Sequence, residues 1–339
     1  MRAMVLRAQG RIEDEPLTLE EVPDPEPGGG QVRLRVQACG VCHTDLHEVE
    51  GDLELRKRPV IPGHEIVGVV DALGEGASRF ALGDRVGVAW LHWTPQDCEF
   101  RARGLENLCP DAQFTGWDVD GGYAELTVVP EEFAYPIPAE LGDLEAAPLL
   151  CAGIIGYRAL QLAGAQQARR VGLYGFGASA HIAIQIARYW GCEVYVFTRS
   201  ADHQRHAQEL GAVWVGEAGA DPGATMHASI IFAPAGALVP QALATLERGG
   251  TLVCAGIYMT PIPQFDYDLI YGERVLRSVT NATRADGEGL MRLAGEIPLR
   301  TDVTAFPLEE ANEALRRVKH SEVSGAAVLQ IAGGLEGRA

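Results

Sequence analysis

The sequence predicts an α/β protein of two domains, one rich in β-strands and one doubly wound on a parallel sheet. Three observations carry that reading. A length of 339 residues exceeds what a single ordinary core organises. The first half alternates polar and apolar residues with a period of two and is broken by glycine and proline. Beyond about residue 170, strand-like and helix-like segments take turns, the pattern that lays strands parallel with helices on both faces.

The elements follow in order. Pro27-Gly28-Gly29-Gly30 is a turn, after which Val32, Leu34 and Val36 alternate with Arg33, Arg35 and Gln37 as in a half-buried strand. Pro59 to Gly63 and Ile66 to Val70 continue the β pattern, and Gly83-Asp84-Arg85-Val86 is a turn that feeds another strand. Helical periodicity is weak until about residue 144. Val171–Tyr174 is then a short apolar strand, followed by a glycine cluster, a helical stripe at Ile182, Ile186 and Trp190, and a buried strand at Glu193–Phe197. The unit repeats as a helix around 203–210, a strand Ser229–Phe232, a helix 238–246 and a strand Thr251–Cys254. The tail offers a helix over 308–319 and a strand near Ala326–Ile331.

Composition narrows the class of function. A hydrophobic fraction of 47% with 22% charged residues is that of a globular, water-soluble chain. A formal charge of −18 opposes binding to nucleic acid or to an anionic membrane, so neither is expected as a partner. The N-terminal residues lack the apolar core of an export signal and no apolar run is long enough to span a bilayer, so a cytoplasmic location is expected. Seven scattered cysteines, an odd number, do not suggest a disulfide framework.

Ligand-capable groups concentrate in Cys39-Gly-Val-Cys42-His43-Thr44-Asp45-Leu46-His47, then in Gly63-His64-Glu65, and later at Cys151 in Leu149-Leu150-Cys151-Ala152-Gly153. A zinc ion that must bind substrate takes about three protein ligands and keeps one position open. Two thiolates and one neutral imidazole are the donors it favours, and they leave the site without net charge. The Cys39-x-x-Cys42-His43 run also matches a haem-attachment motif, but no export signal supports that reading.

Gly175-Phe-Gly177-Ala-Ser-Ala180 follows a strand and opens a helix, the setting in which a glycine pattern marks a dinucleotide site. Gly175 permits the tight turn, Gly177 admits the pyrophosphate, and Ala180 serves for close helix–strand packing. Sites for NAD end the next strand with an acid that holds the ribose 2′-hydroxyl. Here Thr198-Arg199-Ser200 stand at that point instead, able to cradle a 2′-phosphate by charge-assisted hydrogen bonds. NADP(H) is therefore favoured over NAD(H).

Cys42-His-Thr-Asp-Leu-His47, Gly63-His-Glu65, Gly83-Asp-Arg-Val86, Asp120-Gly-Gly-Tyr-Ala-Glu125 and Leu150-Cys-Ala-Gly153 together resemble the zinc-dependent medium-chain alcohol dehydrogenases, the bacterial propanol-preferring type above all. The resemblance implies a GroES-like catalytic domain over 1–150 and 286–339, with a Rossmann domain over 151–285 inserted into it. It implies catalytic zinc ligands at Cys42, His64 and Cys151, with Glu65 able to approach the metal and Asp45 fixing the tautomer of the ligand histidine. It implies that Thr44 bonds the reacting oxygen, that a proton relay runs on through the cofactor ribose to His47, and that His43 lies near the cofactor pyrophosphate. Trp90 and Trp117 fall where the family lines its substrate pocket, and a homodimer or homotetramer acting on an alcohol or aldehyde is implied.

Many relatives hold a second, structural zinc by four cysteines. Cys98 and Cys109 occupy two of those positions here, but Pro95 and Arg101 occupy the others and cannot ligate. Loss of that ion is expected; whether the two cysteines are free thiols or a disulfide stays open, as does replacement by Asp97 or Glu99. Two other classes compete with the dehydrogenase reading. A zinc-independent enoyl or quinone reductase lacks the Cys42, His64 and Cys151 set. A non-catalytic cofactor-binding protein, such as a redox sensor or a crystallin-like protein, has no use for Thr44 and His47 beside an open metal site.

Overall fold

A computed structural model of the chain describes residues 1–323 and 325–332. The described chain divides into two compact units, one comprising Met1–Cys151 and the segment from Thr283 onward, the other Ala152–Ala282. The sequence reading drew these boundaries at 150/151 and 285/286; the division instead gives Cys151 and the cap of the helix Arg284–Glu296 to the first unit. Residues 333–339, part of that reading's 286–339 segment, lie outside the described residues.

The first unit is a mixed sheet of seven strands around Gln31–Val41. That strand pairs antiparallel with Glu65–Leu73, with Leu126–Pro130 and with Ala326–Gln330. Its alternation does what the sequence implies, with Val32, Leu34 and Val36 fully buried. A register shift lies between Val36 and Ala38, and every residue from Ala38 to Val41 is buried, just before Cys42. The carboxyl tail closes the unit: the helix Ala311–Lys319 buries Ala311, Ala314, Leu315 and Val318 along one stripe.

Helices that the sequence reading did not place include Ala152–Leu162, Arg284–Glu296 and, beside the ligand cluster, His43–Glu50. His43–Glu50 is helical, well before the point at which helical periodicity strengthens. Its apolar face is only Leu46 and Val49, and its start is fixed by local hydrogen bonds instead. Cys42 Sγ accepts from the Thr44 N–H, while the Asp45 carboxylate accepts from the Cys42 N–H at 2.8 Å.

The second unit is a six-stranded parallel sheet in the order 214–216, 193–197, 170–174, 226–231, 246–254, 275–278. Numbered along the chain this is 3-2-1-4-5-6, the doubly wound order that binds dinucleotides where the direction of winding reverses. The apolar runs fill its middle, with Val171, Leu173, Val194, Val196, Ile230 and Val253 fully buried. The helix Ala178–Tyr189 buries Ile182 and Ile186 as expected, whereas Trp190 stands past its end as the cap residue. The helix expected around 203–210 begins earlier, at Ala201, because the Ser200 side chain caps it by accepting from the His203 N–H. Among the described residues no helix is long and apolar enough to cross a membrane.

Candidate active site

Sheet register assembles the metal-ligating groups. Gly40 pairs with Glu65 in the last pair of the antiparallel ladder between the two central strands, so Cys42, two residues past Gly40, and His64, one residue before Glu65, emerge from the same end of it. The pairing depends on glycine: a Cβ at position 40 would run into the Glu65 carboxylate. Cys151 arrives by a separate route. The short turn Ala147–Leu150 packs on the same sheet, with Leu150 seated over Gly87, and it ends at Cys151.

The result is one cluster. Ligand atoms of Cys42, His64, Glu65 and Cys151 all lie within 4.8 Å of one another. Cys42 Sγ is 3.4 Å from His64 Nε2, and His64 Nδ1 is 2.9 Å from the buried Asp45 carboxylate, which holds the ring with Nε2 toward the cluster. Hydrogen bonding from Cys151 holds the Cys42 thiol well below its ordinary range, while the same contact and burial push Cys151 well above it. Burial pulls the His64 imidazole down, but the Asp45 and Cys42 charges outweigh it and raise it. Burial pushes the Glu65 carboxyl well up. This donor set fits a zinc ion: two thiols, an oriented imidazole and a carboxylate, among which a cation allows the second thiol to ionise.

The other residues named from sequence are placed as follows. Thr44 and His47 ride the same helix as Asp45; His43 is exposed at its first turn, and His47 Nδ1 pairs with Asp52 at 2.7 Å. Trp90 and Trp117 are half-buried and stack on one another at 5.9 Å between ring centroids, and Trp90 stands 6.2 Å from the His64 ring. Phe114, which no sequence signal pointed out, completes the wall at 4.4 Å from Trp90. Arg56 lies over the Trp117 ring at 4.0 Å.

Cys98 and Cys109, left open by the sequence, are joined as a disulfide, and Asp97 and Glu99 are exposed. Arg101 does more than block a ligand position. Its guanidinium donates to the Thr94 carbonyl at 3.0 Å and to Glu132 at 2.7 Å, and Arg284 links the same Glu132 to the buried Glu106. A side-chain cation thus draws this lobe's backbone and carboxylates together.

In the second unit, Gly175 takes a positive φ of 84° at the end of the strand, and a Cβ there would press on Ala233. Gly177 has open space around it and precedes the helix that begins at Ala178, in which Ala180 is fully buried. Thr198 is buried at the end of the neighbouring strand, with Arg199 and Ser200 exposed beyond it.

Two family models match this chain. The alcohol dehydrogenase GroES-like domain covers residues 28–139 and the zinc-binding dehydrogenase domain covers 180–296. A probable alcohol dehydrogenase, AdhA, of Mycobacterium tuberculosis is 45% identical over 98% of this chain and 97% of its own length. The chain belongs to the zinc-type medium-chain alcohol dehydrogenases. An alcohol dehydrogenase of Geobacillus stearothermophilus is 36% identical over 94% of this chain and 97% of its own. A solved thermostable alcohol dehydrogenase from Pyrobaculum aerophilum, described with cobalt and zinc bound, superposes with a TM-score of 0.86 at 28% identity, covering 97% of this chain and 99% of that one. This dehydrogenase is accordingly a GroES-like domain joined to a Rossmann-type domain, and an oxidoreductase of alcohols.

Proposed function

We propose that Cys42, His64 and Cys151 hold one catalytic zinc ion, with Glu65 in reserve, and that the enzyme passes a hydride between an alcohol and NADP(H). The convergence of those four side chains within 4.8 Å carries the reading. Bound zinc supplies a Lewis acid that lowers the pKa of the substrate oxygen, and the nicotinamide supplies the hydride acceptor.

The chain's own residues do the rest. Asp45 keeps the His64 ring in the tautomer that leaves Nε2 free to ligate. Thr44 takes the proton of the reacting hydroxyl while giving up its own to the cofactor ribose, and His47, whose Nδ1 faces Asp52, takes a proton on from the ribose toward solvent. The half-buried wall of Trp90, Phe114 and Trp117 favours an apolar alcohol and excludes water from the reacting carbon.

For the cofactor, Gly175, Gly177 and Ala180 open the helix whose first N–H groups receive the pyrophosphate, with His43 as an added contact to it. Thr198, Arg199 and Ser200 receive the 2′-phosphate, because no acid stands there to repel it. Catalytic efficiency with NADPH is expected to exceed that with NADH by at least about tenfold, and Arg199→Glu is expected to reverse the order. Equal efficiency with both cofactors in the unaltered enzyme contradicts the assignment.

The disulfide and the Arg101–Glu132–Arg284 network support a lobe without a structural zinc, hence a single ion per chain. A homodimer or homotetramer is supported by the sheet's outer strand, Val275–Ser278, near which Val275, Tyr267 and Tyr271 are exposed.

A further inference from the structure

The helix His43–Glu50 turns two acids inward, three residues apart and therefore on one face. Both Asp45 and Glu48 are fully buried. Asp45 is satisfied, bonding the Cys42 N–H at 2.8 Å and His64 Nδ1 at 2.9 Å. Glu48 is not: among the described residues neither carboxylate oxygen has a hydrogen-bond partner. The indole N–H of Trp90 is buried and equally without a partner. Burial, with the Asp45 charge behind it, pushes the Glu48 carboxyl well above its usual range, while the nearby Trp90 N–H acts in the opposite sense.

Native folds leave few buried polar atoms unpaired, and here a donor and an acceptor are left over beside one another. A neutral carboxyl still offers its carbonyl oxygen to an N–H donor. The ring that carries this N–H stands 6.2 Å from His64 and stacks on Phe114. We propose that Glu48 is a positioning residue that takes the Trp90 indole N–H and so fixes the plane of the aromatic wall beside His64, setting which alcohols fit. The inference rests on the reading of Cys42, His64 and Cys151 as the metal site and of Trp90 as a pocket wall. Nothing in the sequence marks Glu48, which looks like an ordinary acid of a charged segment.

The test is a double-mutant cycle of Glu48→Leu and Trp90→Phe, with Glu48→Gln as the isostere that still accepts a hydrogen bond. Zinc content, kinetics with benzyl alcohol and with ethanol, and the indole N–H resonance of Trp90 are measured on each. Glu48→Leu is expected to keep its zinc, to raise KM for benzyl alcohol about tenfold while kcat changes less than about threefold, and to move the Trp90 resonance. Glu48→Gln is expected to return KM to within about twofold of the parent, and in the Trp90→Phe background Glu48→Leu is expected to add nothing further. An unmoved KM and resonance, or an equal effect in both backgrounds, overturns the proposal. Should Glu48→Leu fail to fold, Glu48→Met, which likewise cannot accept the indole N–H, takes its place: a shifted Trp90 resonance supports the contact and an unmoved one overturns it. A parent enzyme active without zinc overturns the metal-site reading instead, while the resonance still reports on Glu48 and Trp90.

Discussion

Asp45 shows how single side chains divide the work in this site. It never needs to touch substrate, because bonding His64 Nδ1 at 2.9 Å already decides which nitrogen faces the cluster. Asp45→Asn is expected to weaken zinc affinity by about 10- to 100-fold, read by competition with a chelator, with the fold intact by circular dichroism. His92 gives a separate test of burial. Desolvation lowers its pKa from 6.5 to about 4. Below about pH 6.5 the unfolded chain binds a proton that the fold refuses, so stability is full above that pH and falls toward pH 4, by about 3 kcal/mol in all. Denaturant unfolding at several pH values is expected to show this slope in the parent and to lose it in His92→Phe. Thr115, which faces His92, keeps its bond to the Ala89 carbonyl in that variant. The members of the cluster, Cys42, His64, Glu65 and Cys151, were legible in sequence because zinc chemistry demands particular side chains. Phe114 and Glu48 were not, because an aromatic and an acid signal nothing until the fold sets them against Trp90.

The central strands of both sheets were legible from alternation and apolar runs, and Glu193–Phe197 was read to the residue, whereas Leu126–Pro130, Ala134–Pro136, Trp214–Gly216, Val275–Ser278 and Val303–Pro307 were not, and 59–63, read as β, holds only a bridge at Val60. The helix His43–Glu50 was hidden by its length, its two-residue apolar face and a cysteine in the capping position. The way in which distant motifs meet was hidden as well, since it lies in the Gly40–Glu65 register and in a short turn laid over Gly87. The lobe around Cys98 is the clearest case of a question that sequence leaves open, because two leftover cysteines look the same free or paired. There the ionic contacts carry a prediction. Arg101 is nearly buried, so Arg101→Ala leaves Glu132 with one cation fewer and is expected to cost about 2 kcal/mol in denaturant unfolding. A variant as stable as the parent contradicts a fastening role for that guanidinium.

Across the whole molecule the division of labour follows the two units. The first gathers the donors by sheet register, and the second presents a glycine turn at the reversal point of a 3-2-1-4-5-6 sheet. Cys42 and His64 both lie in the first unit, so Cys42→Ala and His64→Ala are each expected to lose more than about 99% of turnover while leaving NADPH binding intact. Zinc absorption spectroscopy with metal counting on the purified enzyme tests the central claim most directly. The account predicts one zinc per chain, bound by two sulfurs with nitrogen or oxygen as the remaining ligands. Zinc bound by four sulfurs, or full activity in metal-free protein, contradicts it.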